Sequence, residues 1–221
     1  MTREAYHKAL KELQNELMAM GDMVSNAIRR SIDSLEKRDI EVSKEIIKND
    51  IFINKKRFEI EERCLLLIAT QQPMAVDLRT IAAILSITTD LERIADHAEG
   101  IARINVMVGK ESLVRQLTDI PKMAEKGLSM LSRCLKTFIE RDAESARAIC
   151  DEDNEVDLLY DGIIRELILL MVENPKVIEG ATYLIWAAHN LERIADRVTN
   201  IAERVVFMVT GRMEEINVSK Y

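Results

Sequence analysis

A six-residue sequence that occurs twice constrains the fold of this chain more than any other feature. Residues 91–96, Leu-Glu-Arg-Ile-Ala-Asp, recur letter for letter as residues 191–196, 100 positions later in a chain of 221. The pair Ile-Ala follows at 101–102 and again at 201–202. A repeat of this length at nearly half the chain indicates an internal duplication. We therefore predict two similar halves, residues 1–110 and residues 111–221.

The composition favours helices and argues against several functions. Hydrophobic residues make up 48% of the chain, and 7 Gly with 3 Pro are too few for a β-rich protein with many tight turns. A net charge of -7 disfavours binding to nucleic acid or to a membrane through a basic patch. The N-terminus lacks the apolar core of a signal peptide, and no apolar run approaches the length of a membrane span, so we expect a cytoplasmic protein.

Apolar residues at steps of three and four predict six long helices, three in each half. Pro73 is expected at the first position of the third helix, where its missing N–H costs nothing. Helices of this length with short connections pack as antiparallel bundles, so we predict an all-α fold. The six predicted helices cover about residues 3–38, 40–72, 73–108, 113–140, 143–173 and 175–211.

The duplicated sequence carries two acidic residues on one helix face. Glu92 and Asp96 are four residues apart, as are Glu192 and Asp196, and Glu99 lies about one turn beyond Asp96. By helical-wheel angle these side chains point away from the apolar seam. Like charges at this spacing destabilise a helix by about 0.2–0.5 kcal/mol, yet the pair occurs in both copies. A solvated acidic face and a cation site both account for the pattern.

The preceding helix supplies oxygen-bearing side chains at the same level. If each half folds as a hairpin about its proline, Asp50 falls level with Asp96 and Asn54 falls level with Glu92. The corresponding side chains of the second half are Asp153, Asp157, Glu192 and Asp196. Four oxygen ligands on rigid helices suit a hard or borderline cation. The spacing fixes the level of the side chains but not whether they face one another.

Two histidines lie near these acids. His189 is three residues before Glu192, close to the same face, and is a candidate ligand because imidazole often binds transition metals. Its counterpart in the first half is Thr89, so this ligand would occur in one copy only. His97 sits about 100° round the helix from Asp96, and we expect it to be a polar surface residue.

These residues resemble the PhoU family. The shared features are the duplicated three-helix repeat, the Glu-Arg-Ile-Ala-Asp motif on the last helix of each repeat, and an acidic partner pair on the preceding helix. The resemblance covers essentially the whole chain. It implies two pseudo-symmetric three-helix bundles of six long antiparallel helices. It also implies a cytoplasmic, non-catalytic negative regulator of phosphate uptake and the phosphate-starvation response.

The resemblance also implies partners and metal ions. Family members are thought to link the ATPase subunit of a phosphate ABC transporter to a sensor histidine kinase, so the membrane would be reached only through partners; a homodimer is a further expectation. Some members carry multinuclear iron or zinc clusters, and no organic cofactor is expected. The candidate metal ligands are Asp50, Asn54, Glu92, Asp96, Glu99, Asp153, Asp157, Glu192 and Asp196, with His189 as an additional candidate.

Two departures from the family pattern make the two candidate sites unequal. Asn54 stands where an acid is usual, which removes one charge from the first site. Thr199 stands at the position that Glu99 occupies in the first half.

Two other functional classes stay open from the sequence. One is a carboxylate-bridged metalloenzyme, although such enzymes use Glu-x-x-His pairs and this chain has Glu-x-x-x-Asp. The other is a structural helical protein whose acids are only solvated. A regulator is favoured because the sequence has no Gly-rich phosphate loop, no nucleophile elbow and no His-Glu-x-x-His motif.

Overall fold

The computed structural model describes residues 3–109 and 119–216, and most residues of these ranges are in helices. The helices are α1 (Arg3–Lys37), α2 (Ile40–Gln71), α3 (Val76–Val108), α4 (Asp119–Glu140), α5 (Ala143–Asp151), α6 (Asp153–Glu173) and α7 (Ile178–Thr210), with a 3-10 turn at Pro175–Val177. No strand occurs in the described part of the chain. The all-α prediction is confirmed.

The first connection of each half has the same geometry, which fixes how the two halves correspond. Arg38 and Arg141 both adopt positive φ, at 56° and 57°. Asp39 and Asp142 follow them, and each side chain accepts backbone N–H bonds at the start of the next helix. A residue of α1 or α2 therefore corresponds to the residue 103 positions later in α4 to α6, whereas α3 and α7 correspond at an offset of 100.

The predicted start of the third helix is wrong. Pro73 lies in the connection, and α3 begins at Val76. Gln72 ends α2 in the left-handed region, with φ 47°, and donates its N–H to the carbonyl of Ile68. Ala75 also has positive φ, at 49°. Because the chain changes direction at both residues, the proline between them cannot serve as the first residue of a helix.

The single helix predicted over 143–173 is divided at Glu152. The Glu152 N–H bonds to the carbonyl of Ile149, and the Glu155 N–H bonds to the carbonyl of Glu152, at 3.2 and 3.0 Å. These three-residue bonds tighten the backbone locally and separate α5 from α6. In the fourth predicted helix, residues 113–118 lie outside the described residues.

The antiparallel pair of α3 and α7 forms the centre of the molecule. Every residue of the predicted α3 seam is buried: Ile84, Ile87, Leu91, Ile94, Ala98, Ile101, Ile104 and Val108. Two polar pairs related by the duplication cross this pair of helices. Arg197 Nη1 lies 3.4 Å from Asp90 Oδ1, and His97 Nδ1 lies 3.0 Å from Asn190 Oδ1. His97 is therefore a half-buried interhelical contact and not the surface residue that we expected.

One cluster of buried apolar side chains extends through both halves of the chain. The residues of α2 that reach it include Ile53, Ile60 and Leu67. Ile51 and Leu65, two apolar residues of α2, are 66% and 59% exposed. The two halves thus share a core, and the predicted domain boundaries at 110 and 111 stay a prediction.

Candidate functional site

The first acidic cluster consists of Asp50, Asn54, Glu92, Asp96 and Glu99, where α2 faces α3. Burial, together with the nearby carboxylates of Glu99, Asp96 and Glu92, raises the pKa of Asp50 to about 6. Asn54 Nδ2 donates to Asp50 Oδ2 at 2.6 Å and partly offsets this effect. In the structure, Glu92, Asp96 and Glu99 of α3 all act on Asp50, which the sequence placed level with Asp96.

Glu92 is buried in this cluster, with 8% of its surface exposed. The helical-wheel expectation of an outward stripe is therefore wrong for Glu92, because α2 packs over that face of α3. Arg57 Nη1 donates to Glu92 Oε1 at 2.8 Å and Arg57 Nε donates to Glu61 at 2.8 Å. The other oxygen of Glu92 is buried without a hydrogen bond, and Arg93 Nε lies 3.6 Å from it.

Arginines neutralise most of the first acidic cluster. Arg93 Nη1 lies 3.4 Å from Asp96 Oδ2, and Arg103 Nη2 lies 2.5 Å from Glu99 Oε1. Together with Arg57, these side chains give three of the four acids a cationic partner. In the described part of the chain, no ion pair within 4.0 Å reaches Asp50, whose closest polar partner is the Asn54 amide.

The second acidic cluster consists of Asp157, Glu192 and Asp196, with His189 at its edge. Burial, together with the nearby carboxylates of Asp196 and Asp157, raises the pKa of Glu192 to about 7, although Arg193 opposes this shift. Burial also raises the pKa of Asp157, with Asp196 contributing. Arg193 Nη1 bonds Asp196 Oδ2 at 2.7 Å. Burial and mutual repulsion therefore both disfavour ionisation of Glu192 and Asp157.

The two clusters differ most at the position of Arg57. Its counterpart, at an offset of 103, is Tyr160, whose ring lies 6.2 Å from that of His189. One oxygen of Glu192 is buried without a hydrogen bond, and His189 Nδ1 lies 3.4 Å from it. An imidazole thus stands near Glu192, whereas a guanidinium bonds Glu92. The second cluster carries less compensating positive charge.

Asp153 occupies a different environment from its counterpart Asp50. It is 3% exposed, and its carboxylate is close enough to Cys150 to contribute to the raised pKa of that thiol. The hydroxyl of Thr199, the counterpart of Glu99, donates to the carbonyl of Asp196. The second repeat therefore differs from the first at the positions of Asp153 and Thr199.

The donor chemistry of the second cluster suits a cation. It offers three carboxylates and an imidazole, and one carboxylate oxygen is buried without a hydrogen-bond donor. In the present side-chain arrangement, no three His, Cys, Asp or Glu residues of the described ranges are grouped closely enough to hold one metal ion. The sequence-predicted metal sites stay a prediction.

Sequence reasoning did not single out Arg57 or Lys126, two cations that bond acidic side chains of another helix. Arg57 carries a usable signal, because it lies three residues after Asn54 and so shares its helix face. Lys126 of α4 carries none, although its ammonium bonds both Glu152 and Glu155. Contacts between two helices depend on how the helices cross, and the spacing of residues along one helix does not give that geometry.

None of the described helices is apolar enough over a sufficient length to span a bilayer.

Comparison with known proteins relates both halves to one family. A family model described as the PhoU domain matches residues 17–104 and again residues 120–205. The phosphate-specific transport system accessory protein PhoU homolog of Clostridium acetobutylicum is 37% identical over 218 residues, covering 98% of this chain and 100% of the relative. The homolog of the same name from Streptococcus pneumoniae is 32% identical over 215 residues, covering 97% and 100%.

Solved structures agree with this relation. The crystal structure of the phosphate transport system regulatory protein PhoU from Streptococcus pneumoniae is similar with a TM-score of 0.89 at 31% identity, covering 95% of this chain and 99% of that chain. PhoU from Pseudomonas aeruginosa also gives a TM-score of 0.89 at 31% identity, covering 94% and 100%. Because the family model matches both repeats and the relatives match nearly end to end, the chain belongs to the PhoU domain family.

Proposed function

We propose that the protein is a cytoplasmic regulator of phosphate uptake and of phosphate-starvation signalling. The observation that supports this most is the near-complete match, in both repeats, to relatives named as accessory or regulatory proteins of phosphate transport systems. In this role the protein is a non-catalytic adaptor. It binds the ATPase subunit of a phosphate ABC transporter and a sensor histidine kinase and represses the starvation response when phosphate is plentiful.

The surface of α2 supports an adaptor role. Ile51, Phe52, Phe58, Leu65 and Leu66 are each more than half exposed. Leu158, Leu169 and Val172 of α6 are also more than half exposed. Exposed apolar side chains along a helix are typical of protein–protein contact surfaces. A self-complementary use of the same helix would give the homodimer that the family resemblance suggests, and this oligomeric state also stays a prediction.

A metal ion in the second acidic cluster is part of the same proposal. Asp157, Glu192, Asp196 and His189 would hold the ion, and iron or zinc fits this mixture of oxygen and nitrogen donors. A bound cation would remove the repulsion that raises the pKa of Glu192. The first acidic cluster would bind more weakly, because Arg57, Arg93 and Arg103 already neutralise its acids.

Gene deletion with complementation tests the regulatory role. Deletion is expected to raise transcription of phosphate-starvation genes in high-phosphate medium, and the wild-type gene is expected to restore repression. Affinity purification of the tagged protein from the complemented strain should recover the transporter ATPase or the kinase. Unchanged transcription after deletion would contradict the proposal.

Elemental analysis of the purified, untagged protein tests the metal site separately. We expect iron or zinc in the wild type and its loss in E192Q/D196N. The matched variant E92Q/D96N changes the equivalent residues of the first cluster and should retain most of the metal. Equal metal content in all three proteins would show that the second acidic cluster is not the site.

A further inference from the structure

After α7 ends, the chain turns back and lies against α5 and α7. Gly211 makes this turn, with φ 76° and its N–H bonded to the Phe207 carbonyl at 2.8 Å. The residues that follow, 212–216, are not helical, and we call them the return segment. Its sequence is Arg-Met-Glu-Glu-Ile. Because the return segment is a peptide that the protein already holds, its contacts show what the surface beneath it accepts.

Two residues of the return segment make these contacts. The Glu214 carboxylate pairs with Arg147 of α5 at 2.8 Å. Two positions later, the Ile216 N–H donates to Glu203 Oε1 of α7 at 2.8 Å, and the Ile216 side chain packs against the common core. Glu215, between them, is exposed, as expected where successive side chains of an extended chain point in opposite directions. The surface therefore reads an acidic residue two positions before an aliphatic one.

Arg147 and Glu203 are the polar groups of this surface, which we call the α5–α7 surface. Within the described ranges, Glu214 is the one acid within 4.0 Å of Arg147, and no cation lies within 4.0 Å of Glu203. Both groups thus find their partners in the return segment and not in neighbouring helices. Any extended peptide supplies an N–H for Glu203, whereas Arg147 selects an acidic side chain.

The return segment is held weakly enough to leave this surface. Arg147 and Glu214 are each 38% exposed, and exposed ion pairs contribute little because water screens them. Ile216 is only partly buried. These contacts must also offset the conformational entropy lost when the segment is ordered. A peptide that makes the same contacts can therefore displace it.

The first repeat lacks an equivalent surface. Arg147 corresponds to Lys44 at the offset of 103, and Glu203 corresponds to Arg103 at the offset of 100. Both of these cations pair with acids of their own helices. A guanidinium also cannot accept a backbone N–H. The α5–α7 surface is thus specific to the second repeat, and Lys44 offers a matched control.

We propose that the α5–α7 surface binds an extended segment of a partner protein, and that the return segment competes with this partner. The partner's acidic residue replaces Glu214 on Arg147, and its aliphatic residue replaces Ile216. A backbone N–H of the partner bonds Glu203. The return segment keeps the surface covered until a partner segment displaces it.

Isothermal titration of the full chain with the capped peptide Gly-Arg-Met-Glu-Glu-Ile, the sequence of residues 211–216, tests the proposal. E214Q/I216D removes both contacts of the attached segment and leaves the surface free. A tethered segment acts at an effective concentration of about 1 mM. If it is docked about nine-tenths of the time, E214Q/I216D should bind the peptide with a Kd of about 0.1 mM, and wild type should bind about tenfold more weakly.

Charge reversal locates the bound peptide. Added to E214Q/I216D, R147E should abolish binding of this peptide, and a peptide with lysine in place of its first glutamate should restore it. K44E, the matched change in the first repeat, should leave the affinity unchanged. Circular dichroism and thermal melts establish that each variant is folded.

Three results would overturn the proposal. Equal affinity of wild type and E214Q/I216D would show that the return segment does not compete. No binding by folded E214Q/I216D at millimolar peptide would show that the surface is not a peptide site. Binding unaffected by R147E would place the peptide elsewhere. Because the titration uses purified, chelator-treated protein and a synthetic peptide, its outcome is independent of phosphate signalling and of the proposed metal site.

Discussion

At the scale of single residues, the duplicated acids acquire different roles from the cations beside them. Glu92 is almost fully buried and would be costly to ionise without Arg57, whose guanidinium bonds it at 2.8 Å. Glu192 has Tyr160 at the corresponding position and an imidazole at its edge. The same six-residue sequence therefore belongs to a cluster whose negative charge is mostly neutralised in one repeat and less neutralised in the other.

Replacement of Arg57 by methionine should destabilise the protein. R57M keeps the apolar stem but leaves the Glu92 carboxylate buried without its cation, so the free energy of unfolding should fall by about 2–3 kcal/mol. Urea denaturation at pH 7.5 measures this loss. E92Q provides the control, because R57M should cost much less when the carboxylate is already absent. Equal losses in both backgrounds would show that Arg57 contributes only through packing.

The raised pKa of Glu192 predicts a pH dependence of stability in metal-free protein. Burial and the nearby Asp196 raise this pKa from 4.5 to about 7, so the folded protein holds a proton that the unfolded chain has released. Where the folded state binds more protons, stability falls as pH rises, here between about pH 4.5 and 7. E192Q should reduce this fall, leaving the part due to Asp50, whose pKa burial raises to about 6, and should be more stable than wild type above pH 7 by about 1–3 kcal/mol.

Urea titrations at several pH values, with chelator present, measure this dependence. Glu173 is exposed, so E173Q should follow the wild-type curve. A wild-type slope retained in E192Q would show that another group titrates in this range.

The candidate site was predictable to the extent that it depends on one helix. The pairs Glu92–Asp96 and Glu192–Asp196 follow from helical spacing, and the proline hairpin gave the level of Asp50. Whether Glu92 is buried depends on how α2 packs on α3, and the sequence pattern of α3 alone does not predict this packing. The role of Arg57, and the separate environment of Asp153, required the packed structure.

At the scale of helices, the starts marked by a side-chain cap were predictable, whereas the α3 start predicted from Pro73 was wrong. Asp39 and Asp142 cap their helices with their own side chains, and the sequence shows such residues directly. The break at Glu152 has no proline or glycine beside it. It coincides with ion pairs from Lys126 and Arg133 of α4, so tertiary contacts accompany a break that local sequence does not signal.

Because α3 and α7 approach closely at Gly100, we expect an added methyl group there to affect stability differently from one at the open position Gly162. A Cβ at Gly100 would lie 3.0 Å from Asn190 Oδ1, which is 3.0 Å from His97 Nδ1. G100A should therefore disturb this pair and destabilise the protein by about 1 kcal/mol, despite the better helix propensity of alanine. Thermal denaturation compares it with the control, G162A.

Gly162 lies in α6 with no atom within 4 Å of its added Cβ. G162A should therefore stabilise the protein by about 0.5–1 kcal/mol. Stabilisation by both substitutions would show that the helices at Gly100 separate readily, and the His97–Asn190 contact would then not define their spacing.

At the scale of the whole molecule, the duplication produces two repeats but one continuous core. The contacts between α3 and α7 extend along both helices. At one end the Arg79 side chain donates to the Met208 carbonyl, and further along His97 contacts Asn190. Each repeat thus presents the long face of its last helix to the other repeat. A sequence repeat shows that two units are alike, whereas whether each unit has its own core depends on which faces they bury against each other.

This shared core predicts that the chain unfolds as one cooperative unit. Trp186, the single tryptophan, lies in α7 and reports the second repeat, while far-UV circular dichroism reports all helices. Urea transitions followed by the two signals should coincide. A fragment of residues 1–110 should lack a cooperative transition, because the face of α3 that packs on α7 becomes exposed. Separate transitions, or a fragment as stable as the full chain, would instead establish two independent domains with a boundary near residue 110.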